Sequence, residues 1–220
     1  WGPAAFRSSR NTRRGRWPAR REPWRPPMRH NRGRSRKPRR CWGRSGKRKN
    51  PGKTYDSKEF QPYRSELTEV LMKEQRGICA YCCGRIKPGK VHNEHIEPRH
   101  PGKYESKRSL DYTNLVASCN TTRTCGTKKE NDYEEAQFVS PLNPECEDKF
   151  TYYPNGTIEG DEYTIGLLNL NDYELRDARR ATYKKLQGLT YDEIETYYIN
   201  NGQEEYPAYF NVIKWYLKTL

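Results

Sequence analysis

The stretch whose reading decides the fold runs from Cys79 to Lys129. It carries Cys79-Ala80-Tyr81-Cys82, Glu94-His95-Ile96-Glu97-Pro98, Asn114-Leu115-Val116-Ala117-Ser118-Cys119 and Cys125-Gly126-Thr127-Lys128-Lys129. Two cysteine pairs bracket a carboxylate–histidine dipeptide and an asparagine. A Cys-x2-Cys knuckle presents two thiolates from one turn, and Cys119 with Cys125 supplies two more, the set a tetrahedral Zn²⁺ takes. The five-residue gap between Cys119 and Cys125 is wider than usual for such a pair. Cys83 stands next to Cys82, but the i, i+3 spacing favours Cys79 and Cys82. The competing reading is a group of paired, buried free thiols. Cys41 and Cys146 have no partner spacing.

Glu94-His95 is the reactive candidate. Phosphodiester hydrolysis needs a water deprotonated near neutral pH, and a neutral histidine is the natural base there. A neighbouring carboxylate is a hard oxygen ligand for Mg²⁺ or Mn²⁺. Side chains alternate along a strand, so Glu94 and His95 serve one site only if the strand ends or twists at that point, as Pro98 suggests. Asn114 is placed to hold the histidine by hydrogen bonding near it. Lys128 and Lys129, in a second short helix, are the candidate phosphate ligands. A surface Glu–His ion pair is the plain alternative, and the flanking cysteine pairs favour a site.

The chain has 220 residues, enough for one domain with an appendage. Its formal net charge of +14 is unevenly distributed: residues 1–53 carry 20 Lys+Arg against one acid, Glu22, while residues 54–220 carry 22 basic and 27 acidic residues. Residues 1–53 are rich in Arg, Pro, Gly and Ser and lack periodic apolar positions, so they are expected to be a disordered basic tail. One reading makes this tail a phosphate-binding arm, with Trp1, Trp17, Trp24 and Trp42 stacking on bases. The other makes it a mis-called extension with initiation at Met28 or later, since position 1 is Trp and all 17 Tyr lie beyond residue 54. No run of apolar residues is long enough to span a membrane, and no secretory signal pattern is visible, so a cytoplasmic setting is expected, with cysteines as metal ligands rather than disulfides.

Around the central stretch, Tyr63–Arg76 reads as an amphipathic helix packed on the core, with Pro62 in its first turn and Gly77 as its stop. Residues 77–95 read as a β-hairpin turning at Pro88-Gly89, with Val91–His95 as its second arm. Asp111 is expected to cap a helix from Tyr112 to Ser118, and a further helix to start near Thr127. Phe150–Tyr153 and Thr157-Ile158 flank Asn155-Gly156 in a hairpin. Asn171/Glu174 and Thr190/Glu193 read as capping boxes opening two helices, stopped at Gly188 and at Asn201-Gly202. The last helix carries Tyr209, Val212, Ile213, Tyr216, Leu217 and Leu220 on one face, either core packing or a partner surface.

The four blocks together resemble the HNH endonucleases, the ββα-metal nucleases. The wording Glu74-Gln75-x-x-Ile78-Cys79-Ala80-Tyr81-Cys82, Leu110-Asp111-Tyr112-x-Asn114-Leu115, Gly156-x-Ile158 and Leu168-Asn169-Leu170-Asn171 is similar to one branch, the PtuB-type effectors of Septu and retron-linked anti-phage systems. The resemblance covers about residues 60–180. It implies His95 as general base, Glu94 as catalytic-metal ligand, Asn114 as the residue orienting His95, and a PtuA-like ATPase partner. Many members carry Asn, His or Asp directly after the last cysteine as a further ligand. Here Gly126 offers none, and Glu130 replaces a frequent glycine. That ligand's place falls to Asn120, Asn131 or His92, to Glu94 with waters alone, or to nothing.

The sequence thus predicts an α+β protein: a disordered tail over 1–53, a zinc-stapled ββα-metal core over 54–140, and a hairpin with partner-binding helices over 141–220. The expected activity is metal-dependent hydrolysis of nucleic acid. The alternative is a zinc-stapled binding module for nucleic acid or protein whose nuclease centre has decayed.

Overall fold

The computed structural model describes residues 54–100 and 106–220; the expected basic tail lies outside the described residues. The chain folds as α+β, with small antiparallel sheets and a cluster of four cysteines. Among the described residues no helix is long and apolar enough to cross a membrane.

Helix α1 (Arg64–Glu74) follows a 3-10 turn containing Pro62 and buries Leu67 and Leu71. It stops where Arg76 and Gly77 turn left-handed, at φ 52° and 76°. Gln75, just past its end, acts as a splint. Its amide donates to the Ile78 and Ala117 carbonyls and accepts from the Ala117 N–H at 2.7 Å, tying the cysteine knuckle to the sheet.

Strand β1 (Val91–His95) pairs antiparallel with β2 (Leu115–Cys119), with Glu94 opposite Val116 and His95 opposite Leu115. Two expectations change here. The predicted hairpin over 77–95 does not form, because the knuckle turn consumes its first arm and leaves a single Ile78–Arg85 bridge. The predicted helix to Ser118 is one 3-10 turn, Tyr112–Asn114, capped by Asp111, and then a strand. Leu115, Val116 and Ala117 are buried on both faces of the sheet, an environment that favours an extended apolar run over a helix stripe. Helix α2 (Cys125–Lys129) packs on β2 and starts two residues before the expected Thr127.

The second hairpin forms as predicted, β3 (Phe150–Tyr152) with β4 (Ile158–Gly160). Only Gly156 takes a positive φ, 86°; Asn155 instead accepts from the Thr157 N–H and hydroxyl. A Cβ at Gly156 would lie 1.9 Å from the Arg176 carbonyl, so glycine is required for the close approach to the following helix. Helix α3 (Glu162–Leu167) leads to α4 (Tyr173–Leu186), whose N-cap is Asp172 rather than Asn171. Asn171 is otherwise engaged, exchanging hydrogen bonds with both backbone groups of Ile158. Buried Arg179 of α4 donates to the Gly156 and Leu170 carbonyls and fastens the hairpin to the helix.

The Thr190/Glu193 capping box is present on α5 (Tyr191–Ile194), which runs into a π turn over Glu195–Ile199. Helix α6 (Phe210–Thr219) buries Phe210, Val212, Ile213 and Tyr216. Phe210, Ile213 and Tyr216 pack with Leu186 of α4 and Ile194 of α5, so the predicted stripe is core packing, with Leu220 outside it at 62% exposure. Glu204 and Glu205 lie in the preceding loop, where Glu205 pairs with Arg85. The larger buried cluster runs from Tyr55 to Leu175 and joins residues on both sides of position 140.

Candidate metal centre and reactive residues

The knuckle, the end of β2 and the start of α2 bring Cys79, Cys82, Cys119 and Cys125 together, with all four sulfurs within 4.8 Å of one another. Neighbouring thiolates on a tetrahedral Zn²⁺ with Zn–S bonds of ~2.3 Å stand about 3.8 Å apart, so the quartet fits a metal such as zinc. Its surroundings suit thiolates. The Cys119 N–H points at the Cys79 sulfur and the Gly84 N–H at the Cys82 sulfur, each at 3.4 Å. Contacts among the four thiols lower the Cys119 pKa and raise those of Cys82 and Cys125. Cys83 leaves the set because its backbone turns left-handed at φ 57°; burial raises its thiol pKa.

Glu94 projects from β1 toward α2. Its carboxylate is almost fully buried and each oxygen has its own partners. Oε1 accepts from Lys129 Nζ at 3.0 Å and from the Tyr81 hydroxyl at 3.3 Å. Oε2 faces His92 Nε2 at 3.2 Å. Burial would raise the Glu94 pKa, but the His92 hydrogen bond and the Lys129 charge outweigh it and keep the carboxyl below its usual value. Lys129 is wholly buried and also donates to the His95 carbonyl at 3.1 Å. The expectation that Lys129 meets phosphate is therefore corrected: a buried ammonium needs a paired charge, and Glu94 is that charge. Lys128, one residue earlier on the same short helix, is exposed.

His95 occupies the opposite side of β1, as strand alternation requires. Its ring packs edge-on against Tyr55, with centroids 4.7 Å apart, and its Nε2 lies 2.8 Å from the Ser109 carbonyl. A carbonyl only accepts, so Nε2 carries the proton and Nδ1 holds the lone pair. Among the described residues Nδ1 makes no hydrogen bond. Burial, opposed by the Ser109 contact, lowers the His95 pKa to about 4 and keeps the ring neutral at physiological pH. Asn114 does not touch the His95 ring. Its amide accepts from the Glu97 N–H at 2.8 Å and donates to the Glu97 carbonyl at 2.9 Å, pinning the turn that ends β1. Glu97 in turn holds Ser106 and Arg108.

The structure thus gathers Glu94 with Lys129, and His95 with the turn that Asn114 fixes, but it does not bring the Glu94 and His95 side chains onto a shared atom. Lys129 is the link, touching the carboxylate of one and the carbonyl of the other. Sequence reasoning gave no role to Tyr81 or Ser109. His92-x-Glu94 was the available signal for the contact at Oε2, since residues two apart on a strand share a face; a backbone acceptor such as Ser109 leaves no signal. A scan against protein-family models finds no match to this chain, and a search of curated proteins finds none either.

Proposed function

We propose that this chain is a metal-dependent endonuclease of the HNH, or ββα-metal, type that hydrolyses phosphodiester bonds in nucleic acid. The observation that carries the reading is His95: a buried, neutral imidazole with Nε2–H fixed on a backbone carbonyl and Nδ1 left as a base. It stands at the last residue of β1, beside an ionised carboxylate.

In this reading His95 Nδ1 takes a proton from the attacking water. The Ser109 carbonyl stabilises the imidazolium that results, because it accepts from the opposite nitrogen. Asn114 holds the Glu97 turn and so keeps the strand end from drifting. Lys129 orients Glu94 by holding Oε1 and leaves Oε2 facing His92. A Mg²⁺ or Mn²⁺ ion bound at Glu94 would supply charge neutralisation at the scissile phosphate and the leaving oxygen. Exposed Lys128 is the remaining phosphate contact on α2. The four cysteines hold a structural zinc that joins the knuckle to β2 and α2. The residues quoted for the PtuB-type resemblance support a place as effector of an anti-phage system, controlled by an ATPase partner that docks on the C-terminal helices.

The test is cleavage of DNA and RNA by the full chain with Mn²⁺ or Mg²⁺, with and without the ATPase partner. Cleavage that falls on the order of 10²–10⁴-fold in His95→Ala is expected. Cleavage unaffected by His95→Ala, or none on any substrate with the partner present, defeats the reading. A second reading is a binding module whose nuclease centre has decayed. It is favoured by one observation, that Lys129 already neutralises Glu94 inside the protein. Nucleic-acid binding that survives chelation of divalent ions, without cleavage, supports it; a sharp loss of cleavage in Glu94→Ala ends it.

A further inference from the structure

The His92–Glu94 contact is an ion pair when the ring is protonated, and in the neutral ring the same geometry brings two acceptors together. His92 and Glu94 share one face of β1, and His92 Nδ1 lies 2.7 Å from Asn120 Oδ1. The amide oxygen accepts, so Nδ1 carries the proton in the neutral ring and Nε2 presents its lone pair to Glu94 Oε2. Two acceptor atoms 3.2 Å apart need something positive between them, either a proton on Nε2 or a bound cation in its place. Lys129 already answers the charge of the carboxylate, and does so on the other oxygen. Adjacent ligands on an octahedral divalent ion with bonds of ~2.1 Å stand about 3.0 Å apart, close to the spacing seen here.

Gly126 completes the pattern. A Cβ at that position would lie 2.6 Å from Glu94 Oε2 and 2.9 Å from His92 Nε2. The φ of Gly126 is not positive, so backbone freedom is not what requires glycine. The absent side chain leaves room for the imidazole and the carboxylate to meet.

We infer that His92 Nε2 and Glu94 Oε2 together form the divalent-cation site of this protein, with Asn120 orienting His92 from behind, and that the site takes a first-row transition ion such as Mn²⁺ in preference to Mg²⁺. The inference rests on the reading of Glu94 as a metal ligand and adds the ligand that Gly126 does not supply. An imidazole nitrogen suits Mn²⁺ better than Mg²⁺, which favours oxygen donors. The hydrogen bond to Asn120 fixes the ring tautomer and orientation, the usual role of the partner behind a ligating histidine. His92 is half-buried while Glu94 is nearly enclosed, so the ion enters from the His92 side and keeps waters on its remaining positions.

The experiment uses the full, zinc-loaded chain and Mn²⁺ alone, with no nucleic acid. Loss of the free Mn²⁺ electron paramagnetic resonance signal gives the affinity, and electron spin echo modulation reads nitrogen bound to the manganese. One Mn²⁺ per chain with imidazole ¹⁴N modulation is expected. His92→Ala should lose the modulation and weaken Mn²⁺ binding by roughly tenfold or more, while Asn120→Ala weakens it with the modulation retained. His92→Asp, a second variant that keeps a ligand, should bind Mn²⁺ without nitrogen modulation and narrow the preference over Mg²⁺. Circular dichroism and zinc content confirm that each variant is folded. Wild-type protein that shows no nitrogen modulation, or His92→Ala that binds Mn²⁺ as wild type does, overturns the inference. Because no substrate is present, the outcome is separate from that of the cleavage assay. Cleavage lost in His95→Ala but untouched in His92→Ala would leave the nuclease reading standing without this site. Mn²⁺ bound through His92 in a chain that never cleaves would do the reverse.

Discussion

The cysteine cluster and the end of β1 lie in adjoining elements, yet they use their polar atoms in opposite ways. At the cluster the sulfurs face one another and backbone N–H groups, and the four come from three different elements. At the end of β1 the polar atoms are only partly spent: His95 keeps Nδ1, and Glu94 Oε2 meets the half-buried imidazole of His92. A closed donor set tied to several elements is built to hold a fold, whereas buried polar atoms with capacity left over cost stability unless something binds them. In the proposed function this difference separates a structural task from a chemical one within fifty residues of sequence.

The closed side breaks most dramatically. Cys79→Ser removes a buried ligand from the quartet, and because metal binding and folding are coupled, the loss should be on the order of 10 kcal/mol. Elemental analysis should find no zinc, and circular dichroism a largely unfolded chain; a folded, zinc-free variant would refute a structural metal.

Lys129→Met tests the link between the two sides. It leaves Glu94 buried without its ammonium partner and should cost about 3–5 kcal/mol in denaturant unfolding, with zinc content unchanged. The double variant with Glu94→Gln should recover part of that loss. Equal stability of wild type and Lys129→Met would mean that the ion pair is not what holds α2 against β1.

The open side carries a pH signature. The His95 pKa falls from the ordinary 6.5 to about 4 on folding. Between those values the unfolded chain binds a proton that the folded chain does not, so His95 destabilises the fold increasingly as pH drops through that window. The effect should reach about 3 kcal/mol near pH 4 and vanish above pH ~7. It is read as the pH-dependent difference in unfolding free energy between wild type and His95→Gln; parallel curves would contradict a buried neutral histidine. The smallest change is expected from Asp111→Ala, which removes the cap of the 3-10 turn leading to Asn114 and should cost about 1 kcal/mol without altering zinc content.

Much of this was legible in the sequence, and the parts that were not have physical reasons. The cysteine quartet, α1, the Asn155-Gly156 hairpin and the Thr190/Glu193 cap depend on local chemistry and appear where spacing put them. The strand Leu115–Cys119 was hidden by a genuine helix signal, because Asp111 does cap a turn but only one. The partner of β1 is not legible in the sequence, because a knuckle occupying residues 79–84 leaves no arm to pair and β1 pairs with a strand about twenty residues later. In α2, five residues long, nothing in the sequence marks Lys129 as the inward lysine and Lys128 as the outward one. Most deeply hidden was the Ser109 carbonyl, which fixes the tautomer of His95 without any side-chain signature.

The central claim is that His95 Nδ1 is the base of a phosphodiester hydrolase. Its most direct test is single-turnover cleavage by folded His95→Ala, matched to wild type in zinc content, with and without added imidazole. The account predicts a loss on the order of 10²–10⁴-fold, partly restored by imidazole filling the vacated space. Cleavage by His95→Ala at the wild-type rate would contradict it.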